Sequence, residues 1–256
     1  MKLRIFAISI SILSLITLVC WAGISAEKEY ELASYATSLE GRNSAQVHNL
    51  RLACANLNNI TIKPNETFSF NNAIGPWTSD KGYKKAPTSY DGEIIDNWGG
   101  GVCQLSSTLY NTALLAGLRI DERNKHQWTS QYAPVGRDAA VAFMGADLIF
   151  TNTLPKPITI KTQLTEKSVI VKMYSKYKPN YRIEVETKII ATSQPSEIIQ
   201  DLTGRSDGRW RLVNKGKPGV ETITYRRFIT KNKTKTEIIS KDQYPPMNKV
   251  IRIVER

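Results

Sequence analysis

Cysteine and histidine are scarce in this sequence, which has three cysteines and two histidines among 256 residues. Neither a Cys-x-x-Cys pair nor a cluster of histidines occurs, so the ligand spacing of a zinc site is missing. The sequence therefore predicts no metal centre, and it predicts no other cofactor.

The longest apolar run lies at the N-terminus and predicts export. Lys2 and Arg4 precede an apolar stretch over residues 5–22, and small residues follow up to Ala26, where cleavage is expected. Because the stretch is also about long enough to cross a bilayer, residues 1–26 are either a cleaved signal peptide or a retained membrane anchor. Both alternatives predict an extracytoplasmic protein, secreted or anchored in the cell membrane.

Acidic residues are also in deficit, with 23 Asp and Glu against 35 Lys and Arg and a formal net charge of +12. Removal of Lys2 and Arg4 lowers that charge to +10. A basic exported chain is suited to anionic surroundings, such as the outer membrane leaflet, peptidoglycan or another anionic wall polymer. Nucleic acid is excluded as a partner, because no nucleic-acid motif is present in this exported chain. A generally basic surface that aids solubility is the alternative explanation.

Three glycines lead into a cysteine, and an apolar helical pattern starts there. The run Gly99, Gly100 and Gly101 precedes Cys103. The helical repeat consists of Leu105, Leu109, Ala113 and Ala116. A thiol at a helix N-terminus is biased toward the reactive thiolate by free N–H groups and the helix dipole, and the glycines offer N–H donors to an oxyanion. A buried structural cysteine behind a tight glycine turn is the alternative interpretation.

His126 and Asp138 follow Cys103 in the order that a thiol catalyst requires. His126 lies 23 residues after the cysteine, and Asp138 lies 12 residues further. A histidine shares the thiol proton and a carboxylate orients the ring, so these three are the predicted catalytic residues. The alternatives are a half-buried structural histidine and an aspartate that caps a turn after Gly136. The predicted substrate-binding residues are Gly99, Gly100, Gly101, Gln104, Ser107, Tyr110, Tyr132 and Arg137, with Gln104 or the glycine N–H groups near the oxyanion.

Cys54 is the other cysteine outside the N-terminal segment. In an exported protein a disulfide with Cys103 is the rival to a reactive thiol. Cys54 lies in an apolar helical pattern, however, where burial is a sufficient explanation, and a single bridge does little to define a domain of this length. The disulfide is therefore the less favoured alternative.

The apolar pattern predicts an α+β fold: an antiparallel sheet with two main helices, followed by a small β-rich domain. A helix is expected up to Leu57 with Ser44 as its N-cap, and the segment 77–97 is expected to be a loop that either lines a binding site or forms an irregular surface. The expected strands of the first domain are 33–39, 60–62, 67–70, 93–96, one beginning at Leu118, 148–150, 158–162 and 168–174. A change of composition at 176–180 divides the chain into residues 1–26, 27–175 and 176–256.

Several motifs of this chain occur together in one known family. They are Thr67-Phe68-Ser69-Phe70-Asn71, Gly82-Tyr83, the run from Gly99 to Asn111, His126, and Tyr132 with Gly136 to Ala139. They resemble the VanW family over roughly residues 33–175, and the tract 213–253 is similar to the β-rich extension that often follows this domain. The resemblance implies an exported bacterial envelope protein without implying a defined activity or antibiotic resistance. Cys54 departs from the family, where alanine is expected.

Two functions remain as hypotheses. The first is cysteine-dependent acyl transfer or hydrolysis of peptidoglycan peptides, by a peptidase or transpeptidase of Cys-His-Asp type. The second is a non-catalytic module in which the first domain binds a wall peptide or glycan and the basic second domain adds electrostatic retention. Thiol reactivity separates them, because an activated Cys103 reacts fast near neutral pH and a structural one does not.

Overall fold

A computed structural model describes residues 27–90, 93–201 and 209–254. The helices are α1 (Ser44–Leu57), α2 (Phe70–Ile74) and α3 (Val102–Leu115). The strands before residue 176 are β1 (Tyr30–Ser38), β2 (Thr61–Ile62), β3 (Thr67–Ser69), β4 (Lys85–Tyr90), β5 (Glu93–Trp98), β6 (Arg119–Arg123), β7 (Leu148–Thr151), β8 (Ile158–Leu164) and β9 (Ser168–Ser175). The later strands are β10 (Arg182–Ser193), β11 (Glu197–Asp201), β12 (Arg209–Lys217), β13 (Gly219–Ile229), β14 (Thr234–Tyr244) and β15 (Met247–Val254). The predicted signal or anchor segment, residues 1–26, lies outside the described residues, and no helix within them is long and apolar enough to cross a membrane.

A four-stranded antiparallel sheet, in the order β1-β9-β8-β2, carries the helix on which Cys103 lies. Strand β9 alternates buried and partly exposed side chains along its length, which is typical of a sheet with one covered face. Helix α3 covers that face. The hydroxyls of Thr108 and Thr37 lie 2.9 Å apart, and Thr112 donates a hydrogen bond to the Val171 carbonyl at 3.3 Å. The predicted packing of this helix on an antiparallel sheet is therefore observed.

Helix α3 is the centre of the hydrophobic core. Its predicted apolar face is no more than 1% exposed and consists of Leu105, Leu109, Ala113 and Ala116. The polar side of the helix is buried as well. Its side chains are satisfied there, since Ser107 and Asn111 donate hydrogen bonds to the carbonyls of Ala139 and Arg137. The helix thus packs between the sheet and the segment that contains Asp138.

Helix α1 is capped one residue earlier than predicted. The Asn43 side chain accepts a hydrogen bond from the Gln46 N–H at 2.8 Å, and the Gln46 side chain accepts one from the Asn43 N–H at 3.1 Å. Asparagine and serine are about equally good N-caps, so residue type alone left Ser44 as a plausible choice. The glutamine three residues after Asn43 decides the position, because it completes a reciprocal capping box.

The segment 77–97 contains an antiparallel hairpin formed by β4 and β5, so its prediction as a loop with a single strand was wrong. Lys85 pairs with Trp98, and Pro87 pairs with Asp96. Proline has no N–H to donate to a ladder and is unusual inside a strand. Because β4 contains Pro87, the sequence pattern did not indicate a strand there. The hairpin delivers the chain directly to the glycine run before Cys103.

A three-stranded antiparallel sheet, in the order β3-β7-β6, leads toward His126. Phe68 on β3 stacks on Phe150 of β7 with ring centroids 4.9 Å apart. Phe70 was predicted to extend β3 but begins α2, because the Ser69 hydroxyl accepts a hydrogen bond from the Asn72 N–H at 3.2 Å. Strand β6 ends before His126, so the histidine lies just beyond the strand.

The C-terminal part is β-rich, as predicted, and its described strands form two sheets in the orders β10-β13-β14 and β11-β15-β12. Strand pairs within these sheets are antiparallel, apart from β11 with β15. Strand β13 packs against the end of α3, where buried Arg226 donates hydrogen bonds to the carbonyls of Leu114 and Leu118 at 3.2 and 2.7 Å. Leu114 belongs to the last turn of α3 and Leu118 follows the helix, so the arginine caps this end of α3 by bonding to both carbonyls. The C-terminal part therefore contacts the helix that presents Cys103.

Candidate functional site

Cys103 is the second residue of α3, and the preceding glycines bring it there through a closely packed turn. A Cβ on Gly100 would lie 2.6 Å from the Ala86 carbonyl oxygen in β4. Gly101 has a φ of +105°, in the left-handed region that glycine adopts without strain. The thiol is therefore placed in the first turn of α3, at the positive end of the helix dipole.

The Cys103 thiol is partly exposed and interacts with a carbonyl and an imidazole. Its Sγ lies 3.4 Å from the Val141 carbonyl oxygen, and the His126 imidazole is close enough to shift the pKa of the thiol. Burial raises the pKa of the thiol, but the hydrogen bond with His126 and the charge of that ring lower it by more. The resulting pKa lies below the ordinary value for cysteine, which favours the nucleophilic thiolate.

His126 connects the thiol to a buried carboxylate. Its Nδ1 lies 2.6 Å from Asp138 Oδ2, and its backbone N–H donates to the same oxygen at 2.7 Å. Burial lowers the pKa of the imidazole, but hydrogen bonds with Asp138 and Cys103 raise it by more, to about 10. At neutral pH His126 is therefore an imidazolium that lies between the carboxylate and the thiol.

Asp138 is held by residues from both parts of the chain. Its Oδ1 accepts hydrogen bonds from Arg123 at 3.0 Å and from the Tyr244 hydroxyl at 2.5 Å. Arg123 also forms an ion pair with Asp242 at 2.6 Å. Burial raises the pKa of Asp138, but the hydrogen bond with His126 and the charge of Arg123 lower it by more, to about 2. Because Asp242 and Tyr244 belong to β14, the C-terminal part completes the surroundings of this carboxylate.

Tyr132 lies against the other ring nitrogen of His126. The Tyr132 hydroxyl is 3.3 Å from His126 Nε2, and the two rings meet edge to face. The Arg42 guanidinium lies over the Tyr132 ring, with Cζ 4.9 Å from the ring centroid, and donates through Nε to the Gln104 side chain at 2.8 Å. Arg42, Arg123, Asp242 and Tyr244 were not predicted as site residues, because no local spacing relates them to Cys103.

The predicted substrate-binding residues divide by exposure. The partly exposed ones are Gly101, Tyr132 and Arg137, and the buried ones are Gly99, Gly100, Gln104, Ser107 and Tyr110. The Gln104 amide donates to Thr37 and to the Ser38 carbonyl, at 3.0 and 2.7 Å, and is fully buried. Ser107 binds the Ala139 backbone, accepting from its N–H at 2.8 Å. The buried residues support the site from below and have no exposed surface with which to contact a substrate.

Two of the N–H groups around the thiol are already engaged within the turn. The Val102 N–H donates to the Gly99 carbonyl at 3.0 Å, and the Gln104 N–H donates to the Gly101 carbonyl at 2.9 Å. The Cys103 N–H lies in the first turn of α3, where no helical carbonyl precedes it. It is therefore the N–H best placed to bind an oxyanion beside the thiol, in preference to the buried Gln104 amide.

Cys54 and Cys103 are both free thiols, which overturns the disulfide alternative. Cys54 is buried in α1, and burial raises its pKa to about 12. A thiol with that pKa stays protonated and unreactive at neutral pH. Within the described ranges no three His, Cys, Asp or Glu side chains are grouped closely enough to hold a metal ion.

Two solved structures are similar to short stretches of this chain. The one named "IgA1 Protease G5 domain structure" covers 31% of this chain and 95% of its own, at 22% identity and a TM-score of 0.23. The one named "Crystal structure of HP0197-G5" covers 28% of this chain and 97% of its own, at 18% identity and a TM-score of 0.17.

Two curated relatives match more of the sequence. The uncharacterized protein YoaR of Bacillus subtilis is 40% identical over 172 residues, which are 67% of this chain and 55% of the relative. The vancomycin B-type resistance protein VanW of Enterococcus faecalis is 31% identical over 139 residues, which are 52% of this chain and 50% of the relative. The chain thus spans about half the length of these relatives. The family described as VanW like protein matches residues 45–174, half of the chain, including Cys103, His126 and Asp138. This chain belongs to the VanW family.

Proposed function

We propose that this chain is an extracytoplasmic protein of the bacterial cell envelope in which Cys103, His126 and Asp138 catalyse acyl transfer or hydrolysis on peptidoglycan peptides. The observation that carries the proposal is the 2.6 Å contact between Asp138 and His126 next to a thiol whose pKa the His126 imidazole brings below the ordinary value. A nucleophile, a proton carrier and an orienting carboxylate in contact are the parts that thiol catalysis requires.

The charge states at neutral pH suit this chemistry. The Cys103 thiolate attacks the carbonyl carbon of a peptide amide and forms a C–S bond, while the Cys103 N–H stabilises the oxyanion. His126 gives its proton to the amide nitrogen as the C–N bond breaks, which releases an amine and leaves a thioester. Water or a second amine then attacks the thioester and passes a proton to His126. The C–S bond breaks, an acid or a new amide leaves, and the thiolate is restored.

The envelope setting rests on features independent of the thiol. The N-terminal sequence predicts export, and the remaining chain carries a formal charge of +10 once Lys2 and Arg4 are removed from +12. A basic surface favours anionic wall polymers, with membrane contact through residues 1–26 if they are retained. The Enterococcus faecalis relative is named for vancomycin B-type resistance, and the family resemblance implies an envelope protein.

A non-catalytic cell-wall-binding module is the second candidate. It is favoured by the hydrogen bonding of the predicted oxyanion donors. The Gln104 amide is committed to Thr37 and Ser38, which leaves one N–H beside the thiol where acyl-transfer sites often provide two. In such a module the Cys103 network would stabilise a binding cleft, and the thiol would have no chemical role.

The alkylation rate of Cys103 by iodoacetamide, measured across pH, separates the two candidates. An enzyme is expected to react with an apparent thiol pKa below the ordinary value of about 8.5, and His126→Ala is expected to raise that pKa. Peptidoglycan fragments should then protect the thiol, and Cys103→Ser should lose turnover as fully as Cys103→Ala. A slow thiol that is indifferent to His126, or function retained in Cys103→Ser, would instead favour the binding module.

A further inference from the structure

Arg42 is fixed beside the thiol by two residues of the candidate site. Its Nε donates to Gln104, the residue after Cys103, and its guanidinium lies over the ring of Tyr132. The Tyr132 hydroxyl in turn contacts His126. The guanidinium therefore contacts the side chain of the residue after Cys103 and also the ring that contacts His126.

The charge of Arg42 has no carboxylate partner among the described residues. Burial lowers its pKa, and the Tyr132 phenol acts against this. The buried arginines Arg123 and Arg226 are each paired, with Asp242 and Glu237 respectively, both at 2.6 Å. The arginines that join the two parts of the chain are therefore neutralised, whereas Arg42, at the site, has no such partner within the described ranges.

The hydrogen-bonding capacity of Arg42 is also largely unused. A guanidinium has five N–H donors, and the side-chain bond to Gln104 uses one of them. A half-buried cation with free donors favours a planar anion that accepts two parallel hydrogen bonds. A carboxylate has the shape and the single negative charge that match one guanidinium.

We propose that Arg42 binds a carboxylate of the acyl substrate beside Cys103. This inference rests on the proposed function and narrows it: the substrate is a peptide with a free carboxyl group close to the bond that the thiol attacks. A phosphate in a wall polymer is the competing anion, because it too can accept two parallel hydrogen bonds from a guanidinium.

Arg137 is held in the same way as Arg42, by a polar side chain farther along α3 and by an aromatic ring. Its Nε donates to Asn111 at 2.6 Å, its guanidinium lies 5.2 Å from the Tyr35 ring, and burial lowers its pKa. Gln104 and Asn111 are seven residues apart on one helix face, which separates them by about 10 Å along the axis. Arg137 is therefore an internal comparison: a similarly held arginine that is bonded to a residue two turns farther along α3 than Gln104.

The test compares a charged and a neutral alkylating agent at Cys103. Iodoacetate carries a carboxylate and iodoacetamide does not, so the ratio of their rate constants reports carboxylate binding next to the thiol. Arg42→Gln is expected to lower this ratio about tenfold, and Arg42→Lys, which keeps the charge without the planar fork, should lower it less. Arg51→Gln, on the exposed face of α1, removes the same charge and should change the ratio less than about twofold.

An unchanged ratio in Arg42→Gln, or an equal fall in Arg51→Gln or Arg137→Gln, would overturn the assignment of the carboxylate to Arg42. Protection of the thiol by inorganic phosphate but not by acetate would also overturn it, in favour of a phosphate site. The iodoacetamide rate alone tests the proposed function. A fast thiol with an unaffected ratio would refute the Arg42 site alone, whereas a slow thiol in the unmodified protein would refute the catalytic proposal.

Discussion

Tyr244→Phe is expected to destabilise the protein and to weaken the activation of Cys103 at the same time. The substitution removes a 2.5 Å hydrogen bond to the Asp138 carboxylate and leaves the Gly136 N–H without the acceptor that lies 3.2 Å away. A hydrogen bond to a charged group contributes about 1.5–3 kcal/mol, and a buried donor left unpaired costs about 1–3 kcal/mol. We expect the free energy of unfolding to fall by about 3 kcal/mol, since the two contributions overlap at one hydroxyl.

The loss of the Tyr244 hydroxyl also affects the pKa of the Cys103 thiol. The effect passes first through the Asp138 carboxylate and then through the His126 imidazole. Loss of the Tyr244 donor raises the pKa of Asp138, because its charged form is less stabilised. Without the Tyr244 hydroxyl the Asp138 carboxylate is also held less firmly against His126. It then stabilises the imidazolium less, and a less basic imidazole raises the pKa of Cys103. The expected result is a higher apparent thiol pKa in iodoacetamide alkylation, with the thiol still accessible.

A double-mutant cycle measures the link directly. Urea denaturation of the unmodified protein, Tyr244→Phe, Asp138→Asn and the double variant should show effects that fall short of additivity by about 1 kcal/mol or more. Tyr225→Phe, at a half-exposed tyrosine on β13, is the matched control and should cost less than about 0.5 kcal/mol. Additive effects together with an unchanged thiol pKa would refute the role given to Tyr244.

Three further predictions concern the same site. Acidification is expected to remove about 2 kcal/mol of stability between about pH 4 and pH 2, because the pKa of Asp138 is about 2 in the folded protein and 3.8 is its ordinary value. This contribution is complete above the ordinary pKa and is lost as the pH falls through 2, so Asp138→Asn should flatten the acid limb in urea titrations. Gly101→Ala should destabilise the protein by about 1–2 kcal/mol in the same assay, since φ is +105° and its Cβ would lie 3.0 Å from the Gln46 carbonyl oxygen. A matched Ala substitution at Ser44, the exposed first residue of α1, should cost far less. Cys54→Ala should leave the alkylation rate of Cys103 unchanged, because the pKa of Cys54 is raised to about 12; a large change would mean that Cys54 had contributed to the measured thiol.

The elements that depend on local pattern could be predicted from the sequence. The repeat of Leu105, Leu109 and Ala113 identified the buried face of α3, and the glycine run before Cys103 identified where that helix begins. The order of Cys103, His126 and Asp138 selected three residues that the structure brings into contact. Their catalytic role remains a prediction, which the thiol measurements address.

The residues that set the charges of the site could not be predicted. Tyr244 is 106 residues from Asp138, and Arg42 is 62 residues from Gln104, so neither contact leaves a periodic signal in the chain. Gln104 or the glycine N–H groups were expected near the oxyanion. The position of Gln104 on α3 turns it toward β1 instead, where its amide is satisfied by Thr37 and Ser38. Local spacing predicts which helix carries a residue. It does not predict which distant segment of the chain packs against that residue.

The contact of Tyr244 and Asp242 with the Asp138 network has a consequence for the order in which the protein becomes reactive. Strand β14 must fold onto the site before Asp138 has all of its partners. In a chain that has folded only as far as β9, Cys103 is expected to behave more like an ordinary thiol, mostly protonated and slow to react. Full activation of the thiol is therefore expected only once β14 has docked and the tertiary structure is complete.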